Sequence, residues 1–100
     1  RKMKDKKVLI IGGNGFIGRN LAKILVKRND LEVFSFDLSL PREEVAGVEY
    51  MEGDFFDDLV LENAVKGMDL VIHSLSTAIL TRNICRVMDV TFYKQSNCVR

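Results

Sequence analysis

The chain has 100 residues, 47% of them hydrophobic, and a net charge of +1; that is enough for one small domain, residues 1–100, with a limited core. Acidic and basic side chains are well mixed, which argues against nucleic acid or a membrane surface as a partner. No apolar run reaches transmembrane length and no signal peptide is evident, while Cys85 and Cys98 form neither a close metal pair nor a disulfide scaffold, so reduced thiols and a cytoplasmic location are expected.

The basic cluster Arg1, Lys2, Lys4, Lys6 and Lys7 reads as a solvated lead-in. Val8-Leu-Ile-Ile11 then gives four apolar residues in a row, three of them β-branched, the mark of a strand buried on both faces. Glycines follow at 12, 13, 15 and 18, and a helical pattern begins at once with Phe16, Ile17, Leu21, Ala22, Ile24 and Leu25. Strand, glycine turn and amphipathic helix together open a dinucleotide-binding unit. Two registers fit: Gly12, Gly15 and Gly18, or Gly13, Gly15 and Gly18. Gly12 is the candidate for a backbone angle that only glycine adopts cheaply. Gly15 is the candidate for close approach to a pyrophosphate, and Gly18 for contact between helix and strand. The first N–H groups of the helix and its positive dipole end would face the phosphates. The residues expected on this side of the cofactor are Gly12, Gly15, Phe16, Ile17 and Gly18.

Lys27-Arg-Asn-Asp30 makes a polar break, and Leu31-Glu-Val-Phe-Ser-Phe36 reads as the second strand. Asp37 stands nineteen residues after Gly18. An acid at that distance, on the tip of a second strand, can accept hydrogen bonds from an adenosine ribose and repel a 2′-phosphate, which favours NAD over NADP. An Asp in a loop or cap is the simpler alternative, and Arg19 and Arg42 leave NADP open because either can reach a 2′-phosphate. Pro41 to Ala46 is expected to form a short helical turn ended by Gly47, and Val48-Glu-Tyr-Met51 a third strand. Gly53-Asp54-Phe55 follows, with Asp54 placed to accept from an adenine amino group and Phe55 beside the base; a helix cap is the other reading of this acidic stretch. Asp57 and Asp58 start a helix running to Lys66, and Gly67 closes it. Met68 to His73 is the fourth strand, with Ser74-Leu-Ser-Thr77 as its outgoing loop. Ser74, Leu75 and Ser76 are expected at the carboxyl ends of the strands, where ligands bind in open α/β sheets. From about Thr81 to Val99 an apolar stripe at helical spacing predicts a packing or subunit face.

This pattern resembles the N-terminal part of the extended short-chain dehydrogenase/reductases, the NAD-dependent epimerase/dehydratase group typified by UDP-glucose 4-epimerase. Gly12-Gly-Asn-Gly-Phe-Ile-Gly18 is similar to that family's nucleotide loop, Asp37 to its ribose-binding acid, Gly53-Asp54-Phe55 to its adenine-side segment, and Asp69-Leu-Val-Ile-His73 to the strand leading to the nicotinamide side. The resemblance covers about residues 7 to 90 and implies a Rossmann-type α/β fold, a doubly wound parallel sheet of order 3-2-1-4. Two departures stand on the nicotinamide side. Leu75 and Ser76 occupy positions where the family usually carries a small apolar pair, and Met88-Asp-Val90 only loosely matches its Asn-Val.

The family's chemistry needs a Tyr with a Lys four residues later. Here Tyr50 is followed at that distance by Asp54, and Tyr93 by Asn97. Tyr93 and Lys94 are adjacent, and neighbouring residues of a helix point in different directions. No other nucleophile, metal or acid–base set is evident, so no catalytic residue and no metal ligand is assigned. The chain reads as the first part of a longer enzyme, cut before the catalytic half, although a degenerate gene would read the same. Two functions follow. One is the NAD(P)-binding portion of a sugar-nucleotide epimerase, dehydratase or reductase; the other is a non-catalytic module that senses NAD(P). Leu70-Val-Ile72 would form an open apolar edge, which predicts self-association there or through the C-terminal helix.

Overall fold

The computed structural model describes residues 6–74. The elements are β1 (Lys6–Ile11), α1 (Phe16–Leu25), β2 (Leu31–Asp37), β3 (Val48–Glu52), α2 (Asp58–Val65) and β4 (Leu70–His73). All four strands are parallel and lie in the order β3-β2-β1-β4.

β1 sits at the centre, paired with β2 from Lys6↔Leu31 to Ile11↔Phe36 and with β4 from Val8↔Leu70 to Ile11↔His73. Its side chains alternate between two apolar layers, as a strand covered on both faces must. Ile10 joins Val33 and Ala22 of α1, with Leu21 and Leu25 partly buried around them. Leu9 and Ile11 face the other way, into a cluster with Phe36, Phe55 and Leu61 and Ala64 of α2. The two helices therefore cover opposite faces, which makes the sheet doubly wound. Burying each large apolar side chain contributes about 1.5–3 kcal/mol, so the run Val8–Ile11 anchors the domain.

The helices begin and end for local reasons. Asp57 caps α2, its carboxylate accepting from the N–H groups of Leu59 and Val60 at 3.1 and 3.3 Å. α2 then buries Leu61 and Ala64, three residues apart on one face. Gly67, at φ +79°, turns the chain toward β4. Gly53 leaves room for Phe36 and Val60; a Cβ there would stand 2.6 Å from Val60 Cγ1.

One expectation is corrected. Residues 41–46 form no helical turn; the connection from β2 to β3 is irregular through Gly47, at φ +94°. Its main chain is held by side chains instead, Val45 N–H donating to the Tyr50 hydroxyl at 2.8 Å. In α1 the apolar pattern is only half a core pattern. Leu21, Ala22 and Leu25 face the sheet, but Phe16, Ile17 and Ile24 are exposed. Phe16 and Ile17 sit in the first turn of α1, next to the glycine loop.

Candidate functional site

The order β3-β2-β1-β4 reverses direction at β1. The chain leaves β1 through α1 toward β2 on one side, and returns from β3 through α2 to β4 on the other. Ligands bind in open α/β sheets at this switch point, beyond the carboxyl ends of the strands. The glycine loop, Asp37 and Ser74 all lie there.

Gly12 adopts φ +86°, the left-handed region that an L side chain rarely enters. Its N–H donates to Phe36 O at 2.8 Å, so the loop leaves the sheet only after one further ladder bond to β2. Gly18 is buried where α1 crosses this loop. A Cβ on it would lie 2.6 Å from Gly12 O and 2.8 Å from Gly13 Cα. The expected tight contact is therefore made, against the loop itself rather than the strand. Gly13 is equally constrained, since a Cβ there would stand 1.9 Å from Ser35 Oγ. Gly12 and Gly13, the glycines that distinguish the two registers, are thus both necessary, each for its own reason.

Gly15 differs. It is exposed, has ordinary extended angles (φ −73°, ψ 172°), and a Cβ would meet only Gly12 O, at 3.6 Å. Nothing in the protein requires glycine at this position, and the open space in front of it suits a ligand that comes close to the main chain. Gly15 is also the N-cap of α1 and carries no side chain to cap it. The N–H groups of Phe16, Ile17 and Gly18 precede the first helical bond, which Arg19 N–H makes to Gly15 O at 2.8 Å. These donors and the helix dipole converge on the exposed space, an arrangement that fits an anion such as a pyrophosphate. The Phe16 and Ile17 side chains, 83% and 67% exposed, flank it.

Asp37 ends β2 beside the loop. Its Oδ2 accepts from Asn14 N–H and its Oδ1 from Leu38 N–H, each at 2.8 Å. An ionised carboxylate offers about four acceptor positions, so two main-chain bonds fix its orientation and leave capacity for a ribose diol. Asn14 also donates through Nδ2 to Ser39 O at 2.8 Å. Asn14 thus ties the glycine loop to both the acid and the segment beyond it. The sequence reading missed this residue, because an amide between two glycines carries no distinctive spacing.

Ser74 belongs to the same junction. Its hydroxyl donates to Gly12 O at 2.9 Å, and its N–H to Ile11 O at 2.9 Å, so β4 pins the carbonyl side of the glycine turn. Leu75 and Ser76 lie outside the described residues. Asp54 is exposed at the end of β3, with Oδ1 accepting from Phe56 N–H at 2.9 Å in a tight local turn. Phe55 is the clear correction. Its ring is 3% exposed and meets Phe36 edge-on, centroids 5.3 Å apart, so it is a core side chain and not a surface for a base. Apolar type and position could not separate these roles; only the direction of the side chain does. Among the described residues no group of three or more His, Cys, Asp or Glu could hold a metal, and no helix is long and apolar enough to cross a membrane.

Switch point, glycine turn and strand-end acid together define a Rossmann unit of the extended short-chain dehydrogenase/reductase type. Residues 9–98 match the model of the 3-beta hydroxysteroid dehydrogenase/isomerase family, and the chain belongs to that family. A 2-alkyl-3-oxoalkanoate reductase from Stenotrophomonas maltophilia is 39% identical over 69 residues, covering 68% of this chain and 21% of the relative. A uronate dehydrogenase variant from Agrobacterium tumefaciens complexed with NAD superposes with a TM-score of 0.67 at 22% identity, over 82% of this chain and 36% of that one. A short-chain dehydrogenase/reductase from Veillonella parvula in complex with NADP gives 0.71 at 23% identity, over 84% and 42%. The chain spans about a fifth to a third of the length of the curated relatives it matches.

Proposed function

We propose that this chain binds NAD(P) at the Gly12–Gly18 turn, with NAD preferred, as the cofactor-binding portion of an extended short-chain dehydrogenase/reductase. The observation that carries the reading is Gly15: an exposed glycine with ordinary angles and empty space before it, at the uncapped head of α1. The main-chain N–H groups of the first turn hold the pyrophosphate, Asp37 receives the adenosine ribose, and Asp54 lies on the adenine side. When bound, the dinucleotide supplies hydride transfer. The chain's own residues bind and orient it. Neither tyrosine carries a lysine four residues on, so no such pair for proton transfer at a substrate hydroxyl stands in this sequence.

The finer assignment, to a sugar-nucleotide epimerase, dehydratase or reductase, rests on the resemblance of the four segments around Gly12–Gly18, Asp37, Gly53–Phe55 and Asp69–His73. The missing Tyr/Lys pair also supports a second reading, a module that senses NAD(P) without catalysis. Calorimetric titration of the chain tests the shared claim: NAD binds more tightly than NADP, and Asp37→Ala weakens NAD at least tenfold, consistent with losing a charged acceptor of two hydrogen bonds. Equal NAD affinity before and after the substitution removes the ribose role. Turnover of any substrate by the 100-residue chain would refute the absence of a catalytic set.

A further inference from the structure

Arg19 does something the glycine pattern does not call for. It stands one turn into α1, half-buried, and reaches across to the irregular segment that leaves Asp37. Its Nη1 donates to the main-chain carbonyl of Glu43 at 2.5 Å, and its Nη2 lies 3.5 Å from Glu43 Oε1. The guanidinium is therefore held at the β2–β3 connection, six residues past Asp37, with its charge turned toward an acid. A 2′-phosphate on a ribose at Asp37 would need a cation close by; Arg19 and Arg42 are the two the sequence offers, and Arg19 is the one tied to the β2–β3 connection.

We propose that the Arg19–Glu43 pair is a second determinant of cofactor selectivity beside Asp37: held by Glu43, the guanidinium is withheld from a 2′-phosphate, and the site takes NAD. This rests on the dinucleotide reading above and goes beyond it, because it gives the choice between NAD and NADP to a residue of the β2–β3 connection as well as to Asp37. Loss of the Glu43 charge removes the ion pair and leaves the bond to the Glu43 carbonyl, so Arg19 keeps one anchor and its Nη2 edge is released toward the ribose while the NAD contacts stay as they are. The pair is largely solvent-exposed on the Glu43 side, so the latch is weak and the switch it controls is modest.

The test is calorimetric titration of NAD and of NADP into the folded chain, its fold checked by circular dichroism. The variants are Glu43→Gln, Arg19→Gln, the double variant, and Glu44→Gln as a control for charge alone. Glu43→Gln is expected to raise NADP affinity about fivefold, the upper range for releasing an exposed ion pair, and to leave NAD within about twofold. The double variant loses that gain and Glu44→Gln does not reproduce it. If NAD binds but Glu43→Gln leaves the NADP to NAD ratio unchanged, or Glu44→Gln matches it, the latch is refuted and the dinucleotide site stands. Native NADP affinity that equals or exceeds that for NAD and collapses in Arg19→Gln also refutes the latch, since Arg19 is then already engaged. Failure of every folded variant to bind either dinucleotide overturns the site and the latch together.

Discussion

Replacing Gly15 with alanine separates binding from folding more cleanly than any other change in this molecule. The native angles, φ −73° and ψ 172°, are ordinary for alanine, and the added methyl has Gly12 O at 3.6 Å as its nearest contact. The folded state therefore gains no clash. What it loses is a favourable N-cap, and glycine exceeds alanine there by roughly 0.5–1 kcal/mol. For a chain of this size that is a fall in Tm of about 2–8 °C. The ligand meets a different situation. A phosphate oxygen bonded to main-chain N–H groups sits about 2.9 Å from nitrogen, and a methyl in front of the turn holds it off. Losing one or two charge-assisted hydrogen bonds at about 1.5–3 kcal/mol each weakens NAD binding roughly tenfold to ten-thousandfold. Thermal unfolding followed by circular dichroism, which suits a chain without tryptophan, gives the first number and calorimetry the second. A folded Gly15→Ala chain that binds NAD like the native protein would show that the turn does not receive the diphosphate. A loss of stability well above 2 kcal/mol would show that the space before Gly15 is not open.

Gly18→Ala should behave in the opposite way. Helix propensity favours alanine by about 1 kcal/mol, but the methyl meets backbone atoms at 2.6 and 2.8 Å that no rotamer change can relieve, an overpacking cost of about 1–3 kcal/mol. A net destabilisation of about 1 kcal/mol is expected, read as a Tm about 4–8 °C lower; a higher Tm would mean that α1 does not rest on the loop. Self-association is expected as well. Among the described residues β4 is an edge strand, and Leu70 on it is 53% exposed, an apolar edge of the kind that recruits another strand. Light scattering should give a mass above that of one chain at high concentration, and a monomer throughout would exclude this edge as an association surface.

The parallel sheet was legible because its signals are local and redundant. Four consecutive apolar residues before a glycine turn fix β1, and the spacing to Asp37 fixes β2 against it. Asp57 and Gly67 bracket α2 by chemistry that acts within one turn of the chain. The connection at 41–46 was misread for the same reason in reverse. Its main chain is held by Arg19 at Glu43 and by Tyr50 at Val45, both outside the segment, so nothing within the segment reports it. Phe16, Ile17 and Phe55 show a related difficulty. Apolar type says that a side chain gains by burial, yet the two at the helix head are exposed while Phe55 is in the core. The end of a sheet, where covering runs out, is where that inference loses its force.

Gly13 and Ser35 carry the point further. The sequence offers two glycine registers because Gly12 and Gly13 look alike when only near neighbours are considered. Gly12 is needed for its own angle, which the strand-to-helix turn implies. Gly13 is needed because Ser35, on the adjacent strand, occupies the space a Cβ would take. Ser35 is buried, with its hydroxyl unpaired among the described residues, so its place there is not explained by a hydrogen bond. A small residue at 35 and none at 13 lets the loop lie flat on β2, and that brings Asn14 N–H onto Asp37 at 2.8 Å. Asp37 and the glycine turn are therefore held together by a contact between residues twenty-two positions apart. A glycine motif by itself can announce a phosphate turn; the alignment of that turn with its acid depends on what the next strand puts beneath it.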